Sequence, residues 1–390
     1  MTGAFKLLSG VFAPSLVLVM LSATTVLAGS CPEDCSEPPA SSAPINIYSQ
    51  TTSDHLSPVT KDALPRVYVP NHSSNSVSVI DMVTLKEVDR FTVGLQPQHI
   101  VPSWDLKTLW IANNASRTKK GSLTPLDPKT GKPGTAIPVN DPYNMYFLPD
   151  GSSAVVVDEA VKQLDLRDPQ TMALKSVIPT PTCHGINHAD FAADNSYAIF
   201  TCEFGGGGLV KVDLQNQKVL GSLTLSKKGM PQDIRLSPDG KVFYVADMMN
   251  DGVFLIDGDS FTEIGFIATG VGTHGFAVSR DGTRLYVSNR GTHHMDQSHP
   301  KGPGSVSVID FATRAVVAQW PIPGGGSPDM GNVSADGKQL WLSGRFDNEV
   351  YMFDTTTGAV VKVPVGAEPH GLTVWPQPGR YSQGHTGNMR

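Results

Sequence analysis

No stretch of this sequence repeats its apolar residues with a long helical period, so the chain reads as all-β. Cysteine is scarce, at four residues in 390, and none stands in a Cys-x-x-Cys-His arrangement. A c-type haem is therefore not supported. No phosphate loop or dinucleotide fingerprint follows a strand, which argues against a bound nucleotide. The glycine run Gly205 to Gly208 reads as a loop between strands. No Gly-x-Ser-x-Gly elbow is present. Charged residues make up only 17%, the net charge is -6 and the lysines are scattered. Nothing here forms an electrostatic footprint for nucleic acid.

What the chain has in quantity is glycine, 38 residues, and proline, 30 residues. That balance suits many short strands joined by tight turns. One unit recurs. A short strand leads to an Asp-Gly turn, as at Asp150-Gly151, Asp239-Gly240, Asp281-Gly282 and Asp336-Gly337. A second strand comes next, such as Val242 to Val245. A third alternates apolar and polar residues, as in Val77-Ser78-Val79-Ile80-Asp81 and Val306-Ser307-Val308-Ile309-Asp310. A fourth closes the unit, as in Val360 to Val365.

Seven inner strands begin at Gln98-His99, Tyr143-Asn144, His184-Gly185, Gln232-Asp233, His274-Gly275, Asp329-Met330 and His370-Gly371. They are spaced by 41 to 55 residues, the longest step containing an insertion from Gly291 to Gly304. Four antiparallel strands per unit at this period predict a seven-bladed β-propeller over 65–376. The first unit lacks an inner strand and His370 to Trp375 supplies one. The terminal strands are thus expected to share a blade and close the ring, which removes open sheet edges.

The flanks read differently. Residues 1–28 have the form of an export signal, with Lys6, an apolar run and Val26-Leu27-Ala28 at the cleavage point. The run is also long enough for an uncleaved anchor, and Cys31 offers a poor site for lipidation. Those are the two routes by which a membrane would enter. Residues 29–64 read as a flexible linker and 377–390 as a C-terminal tail. Secretion or a periplasmic, cell-envelope location is the consequence of the signal, as is a disulfide-permissive setting. Cys183 opens the inner strand of blade four and Cys202 ends its second strand. The antiparallel register brings these ends together, so a Cys183–Cys202 disulfide is expected. Cys31 and Cys35 then pair with each other or face another chain.

The units resemble the YVTN-type β-propeller repeat, written here as Tyr286-Val287-Ser288-Asn289 and Val306 to Asp310. The resemblance covers about 66–376 and implies the fold. Similar propellers include the nitrous oxide reductase N-domain, haem d1 domains, lactonases and surface proteins, so it licenses no single activity.

The repeat register also sorts residues by face. Inner strands begin on the face to which the loops between second and third strands return. That face receives His99, His184, Asp233, His274, Asp329 and His370 from the inner strands. The loops add His72, Asp158, Glu203, Asp247, Asn289, Arg290, His293, His294, His299 and Arg345. Eight of the eleven histidines map there. His188 lies on the same side along its strand, and only His55 and His385 fall in the tails. Imidazoles spread around a tunnel mouth suit a transition metal. His99, His184, His274 and His370 are the expected ligands. The resemblance to nitrous oxide reductase, where histidines over a propeller hold copper, favours copper and opens oxidoreductase activity. The match is partial, because Gln98, Tyr143, Gln232 and Asp329 stand where a full histidine ring needs His.

A plainer explanation exists for each. His-Gly pairs can tie neighbouring blades through backbone bonds, and His293, His294 and His299 suit a solvated loop. Two other functions compete. One is a lactonase-like envelope hydrolase using Glu203, Asp233 or a histidine as base, with Arg290 and Arg345 as acid, base or anion clamp. The other is an interaction module that contacts a partner through 291–304. In each case the His-rich face receives a small molecule or protein, and the chain is expected to be a monomer.

Overall fold

In the computed structural model the described residues are 45–116, 118, 120–296 and 302–390. The expected signal and residues 29–44 of the expected linker, with Cys31 and Cys35, lie outside them, as does His299. Residues 45–64 pack on the propeller instead of forming a flexible linker, with Tyr48 buried and its hydroxyl donating to the Leu236 carbonyl at 2.7 Å. Among the described residues, no helix is long and apolar enough to cross a membrane.

The chain forms a seven-bladed β-propeller, with one short 3-10 turn at Pro58–Thr60. Blade one combines Thr373–Trp375 with Arg66–Asn71, Ser76–Asp81 and Lys86–Thr92. Pairing of Arg66 with Trp375 and Tyr68 with Thr373 closes the ring as the repeat pattern predicts. Blades two to seven have inner strands Pro97–Pro102, Pro142–Phe147, Ile186–Phe191, Pro231–Leu236, Thr273–Val278 and Pro328–Val333. Neighbouring blades in the chain are neighbours in the ring.

The recurring sequence words have separate physical jobs. In blade six Ser279 Oγ donates to Asp281 and the Gly282 amide donates back to the Ser279 carbonyl at 2.9 Å. Gly282 sits at φ +69°, a conformation glycine adopts without Cβ strain. The Asn that ends the second strand binds the third. Asn289 Nδ2 donates to Ser305 Oγ at 3.1 Å and Ser307 Oγ at 3.0 Å, and Asn71 does the same to Ser76 and Ser78. The Asp that ends the third strand caps the next turn: Asp81 Oδ1 accepts from the Val83 and Thr84 amides.

Hydrophobic burial lies between blades. Each of the seven seams has its own apolar cluster, such as Val306, Ile322, Leu340 and Tyr351 between blades six and seven. The blades are therefore fixed to one another by side-chain packing, while the tunnel along the axis is left to polar groups.

Those polar groups are aimed by irregular pairing at the start of five of the inner strands. The ladder skips between Pro97 and His99, Ile186 and Ala189, Pro231 and Ile234, Thr273 and Phe276, and Pro328 and Gly331. A bulge of this kind turns a side chain out of the regular alternation. In blade four the bulged pair is Asn187–His188. The repeat register predicts His184–Gly185 there, three residues too early. His184 precedes the strand and is exposed.

The segment 377–390, expected from sequence to be a tail, is packed against the propeller and largely buried. Phe147 donates its amide to the Gln383 carbonyl at 2.9 Å, and His385 donates its own to the Met145 carbonyl at 2.9 Å. Asn388 Nδ2 reaches the Ala189 carbonyl, Arg390 pairs with Asp190 at 2.6 Å, and Tyr381 stacks on Trp104. These partners come from blades two, three and four. The segment spans the tunnel end opposite the mouth and sends His385 inward.

Candidate functional site

The axis carries two polar layers. The outer one surrounds a cavity of about 120 Å³ lined by Gln98, Tyr143, Glu203, Gln232, His274, Arg290, Arg345 and His370, with Glu159, Phe204 and Met295. Asp329 organises it. Its carboxylate lies 2.6 Å from His274 Nδ1, 2.8 Å from His370 Nδ1 and 2.9 Å from an Arg290 nitrogen. The His274 contact is short but not aligned as a hydrogen bond. Burial alone would raise the Asp329 carboxyl. Arg290, His274 and His370 together overcome that and hold it well below the usual range. Burial, aided by the arginines nearby, lowers His274 to about 4 and His370 to about 3, so both are neutral near pH 7. The Tyr143 hydroxyl stands 3.4 Å from His370 Nε2.

Glu203 lies across the cavity. It accepts from Asn187 Nδ2 at 2.8 Å and Gln232 Nε2 at 3.1 Å. Burial raises its carboxyl, against the hydrogen bonds and the pull of Arg290.

The inner layer is a cluster of three imidazoles. His99, His188 and His385 are fully buried, and one ring nitrogen from each lies within 4.8 Å of the others. Ring centroids are 5.2 Å apart for His99–His188, 5.2 Å for His99–His385 and 4.9 Å for His188–His385. Both nitrogens of His99, both of His188 and Nε2 of His385 have no hydrogen-bond partner. Asn144 Nδ2 stands 2.8 Å from His385 Nδ1. Asp233 Oδ2 stands 3.5 Å from His385 Nε2, at the edge of hydrogen-bond range. Burial holds His99 and His188 well below 6.5 and lowers His385, so all three are neutral near pH 7. Room for the His99 ring comes from Gly371, where any Cβ would overlap Nδ1.

The expected site residues are thus divided. His99 belongs to the inner cluster, and His370 packs on it with centroids 4.8 Å apart. His274 and His370 share Asp329. His184 is at the surface with Nε2 3.5 Å from Lys162 Nζ. Glu203, Arg290 and Arg345 line the mouth together. Asp233 does not; it is consumed by Arg235 at 2.6 Å and by the Ile234 and Phe276 amides. His293 pairs with Asp251 and His72 with Glu368. The disulfide joins Cys183 to Cys202, as the register required, and braces blade four beside Glu203.

A seven-bladed propeller with a two-layered polar axis is the class these features define. The chain belongs to the YNCE-like β-propeller family, whose sequence model matches residues 20–378. It is similar to Antigen Lp49 of Leptospira interrogans, 24% identical over 293 residues, covering 74% of this chain and 59% of that protein. It is also similar to Lactonase drp35 of Staphylococcus haemolyticus, 26% identical over 189 residues, covering 47% of this chain and 55% of that one. The chain therefore spans less than two thirds of either relative. A solved structure described as a putative 6-phosphogluconolactonase from Bacteroides uniformis matches with a TM-score of 0.62 and 17% identity. That match covers 80% of this chain and 99% of the other, and it shows the shared fold.

Proposed function

We propose that this is a metal-binding propeller that takes a transition metal, copper by preference, at His99, His188 and His385. The carrying observation is the set of five unpartnered imidazole nitrogens in a fully buried cluster. Each buried polar atom left without a partner costs about 1–3 kcal/mol, and each neutral ring has one lone pair, so the cluster favours an occupant that takes one lone pair from each ring. Neutral imidazoles suit copper or zinc among common ions, and Cu(II) stands above Zn(II) in affinity order at a nitrogen site. Asn144 Oδ1 accepts from the Met145 amide at 2.8 Å and its Nδ2 faces His385 Nδ1, so binding through His385 Nε2 asks the ring proton to move to Nδ1 and the Asn144 amide to turn away from it. The metal would supply redox chemistry in a site shielded from solvent, which supports an oxidoreductase role. The protein's own residues shape the cluster, hold it neutral and close it from the far side. Export to the periplasm or cell exterior is part of the same reading, supported by the disulfide.

The competing occupant is ordered water, which also satisfies buried polar groups. Titration of tag-free, metal-stripped protein with Cu(I) and Zn(II), combined with thermal unfolding, separates the two. A single saturable site lost in His99→Ala and His188→Ala supports the metal; no binding and no thermal shift overturn it.

A second reading has its own support. His274 and His370 held by one carboxylate, with Glu203 across the cavity, form an acid–base set suited to a lactonase-like hydrolase. Turnover of lactones that survives a chelator would favour it.

A further inference from the structure

The mouth cavity is charged unevenly around the ring. Glu159 and Glu203 come from blades three and four, Arg290 and Arg345 from blades six and seven. Neutral residues separate the two arcs: Gln232 of blade five on one side, His370 and Gln98 of blades one and two on the other. The order of blades thus sets two carboxyl groups opposite two guanidinium groups across one small space.

Both arcs present charged groups to the cavity. Glu203 is hydrogen-bonded to Glu159 as well as to Asn187 and Gln232. Two carboxyl groups joined in this way share a proton, and a ligand cation can take that proton's place. On the other arc Arg290, only 3% exposed, pairs with Asp329 through one terminal nitrogen, sets the other 3.5 Å from Met248 Sδ, and lines the cavity. Arg345 reaches Gln98 and Glu368 and still lines the cavity.

We infer that the mouth binds a small zwitterion of the α-amino acid class, its ammonium toward Glu159 and Glu203 and its carboxylate toward Arg290 and Arg345. A dicarboxylate would meet the acidic arc with like charge, and a simple amine would bring no carboxylate to the arginine arc. At about 120 Å³ the cavity is well below the several hundred Å³ of drug-sized pockets, which limits the ligand to a few heavy atoms. The inference does not depend on a metal at the inner layer.

The test is calorimetric titration of the full, metal-stripped chain with L-alanine, with L-lactate, which replaces the amine by a hydroxyl, and with L-alanine methyl ester, which removes the carboxylate charge. Alanine should bind at least about tenfold more tightly than either analogue. Glu203→Gln and, as a second variant, Glu159→Gln should weaken alanine by about tenfold while leaving the thermal midpoint near that of the parent. Lactate or the ester binding as tightly as alanine overturns the inference. So does the absence of alanine binding at about 10 mM by a folded chain.

Discussion

His99 and His385 come from opposite ends of the described chain and pack with ring centroids 5.2 Å apart. His99 directly follows the bulge at Gln98 in the inner strand of blade two. His385 arrives on a segment that crosses the far end of the tunnel. His188, from the bulge of blade four, completes the set. The geometry gives three neutral imidazoles few protein partners, and a bound metal would make good that shortage.

Replacing His188 by Leu separates a ligand from a structural residue. Both of its nitrogens are unpartnered, so the apolar substitute should leave metal-free stability within about 1 kcal/mol of the parent. The same change should abolish any stabilisation by Cu(I). Denaturant unfolding with and without the ion reads both effects. A loss of several kcal/mol in the metal-free state would mean that the ring belongs to a satisfied hydrogen-bond network.

Gly371→Ala tests the packing of His99. A Cβ there overlaps the imidazole, so the ring must move or the strand must shift. The expected cost is about 1–3 kcal/mol, with metal affinity falling in parallel. Gly325→Ala, at a position far from the cluster, is not an equivalent control because of its positive φ. A control at the exposed Val361 serves better.

Acid should destabilise the metal-free protein. His274 and His370 are neutral in the fold, at about 4 and about 3, while the unfolded chain takes up protons near 6.5. The unfolded state thus binds more protons below 6.5, and stability falls as pH drops from there toward 3. Glu368, held at about 2 by hydrogen bonds from His72 and by Arg345 against its burial, adds to the loss below about 4.5. Each fully engaged proton contributes about 1.4 kcal/mol per pH unit. Asp158, raised to about 8 by its burial and by Asp165, acts in the opposite sense between about 8 and 4, so the test is made in Asp158→Asn, where urea midpoints should decline below about 6.5. A midpoint that rises on acidification contradicts the assignment of buried neutral histidines.

The Cys183–Cys202 bond closes a loop with a separation of 19 residues. Cys183→Ala with Cys202→Ala should cost about 2–4 kcal/mol. Thermal unfolding with and without reductant provides the check, and the double variant should no longer respond to the reductant.

The fold was legible because its signals are local and repeated. Asp-Gly turns, Tyr-Val-Ser-Asn and Val-Ser-Val-Ile-Asp each mark a bond that every blade needs, as Gly282, Asn289 and Asp81 show. The disulfide was legible from the antiparallel register alone. The inner site was less visible. His184 resembles the axial residue of blade four because His184-Gly185 copies the His274-Gly275 pair, yet the bulge falls on Asn187–His188. His385 sits in a stretch with little apolar content. Its docking relies on main-chain bonds and on Gly384, whose missing Cβ lets the chain pass against Tyr146. Such a docking leaves no hydrophobic period to read. The one hint was a low-charge stretch with glycines at 379, 384 and 387 after the closing strand.

The most direct test of the inner site is X-ray absorption at the copper edge on tag-free protein loaded with one equivalent of Cu(I) under anaerobic conditions. The account predicts a first shell of about three nitrogens with the outer-shell scattering of imidazole rings, lost in the His99→Ala, His188→Ala, His385→Ala triple variant. A sulfur- or oxygen-dominated shell, or the same spectrum from the triple variant, would contradict it.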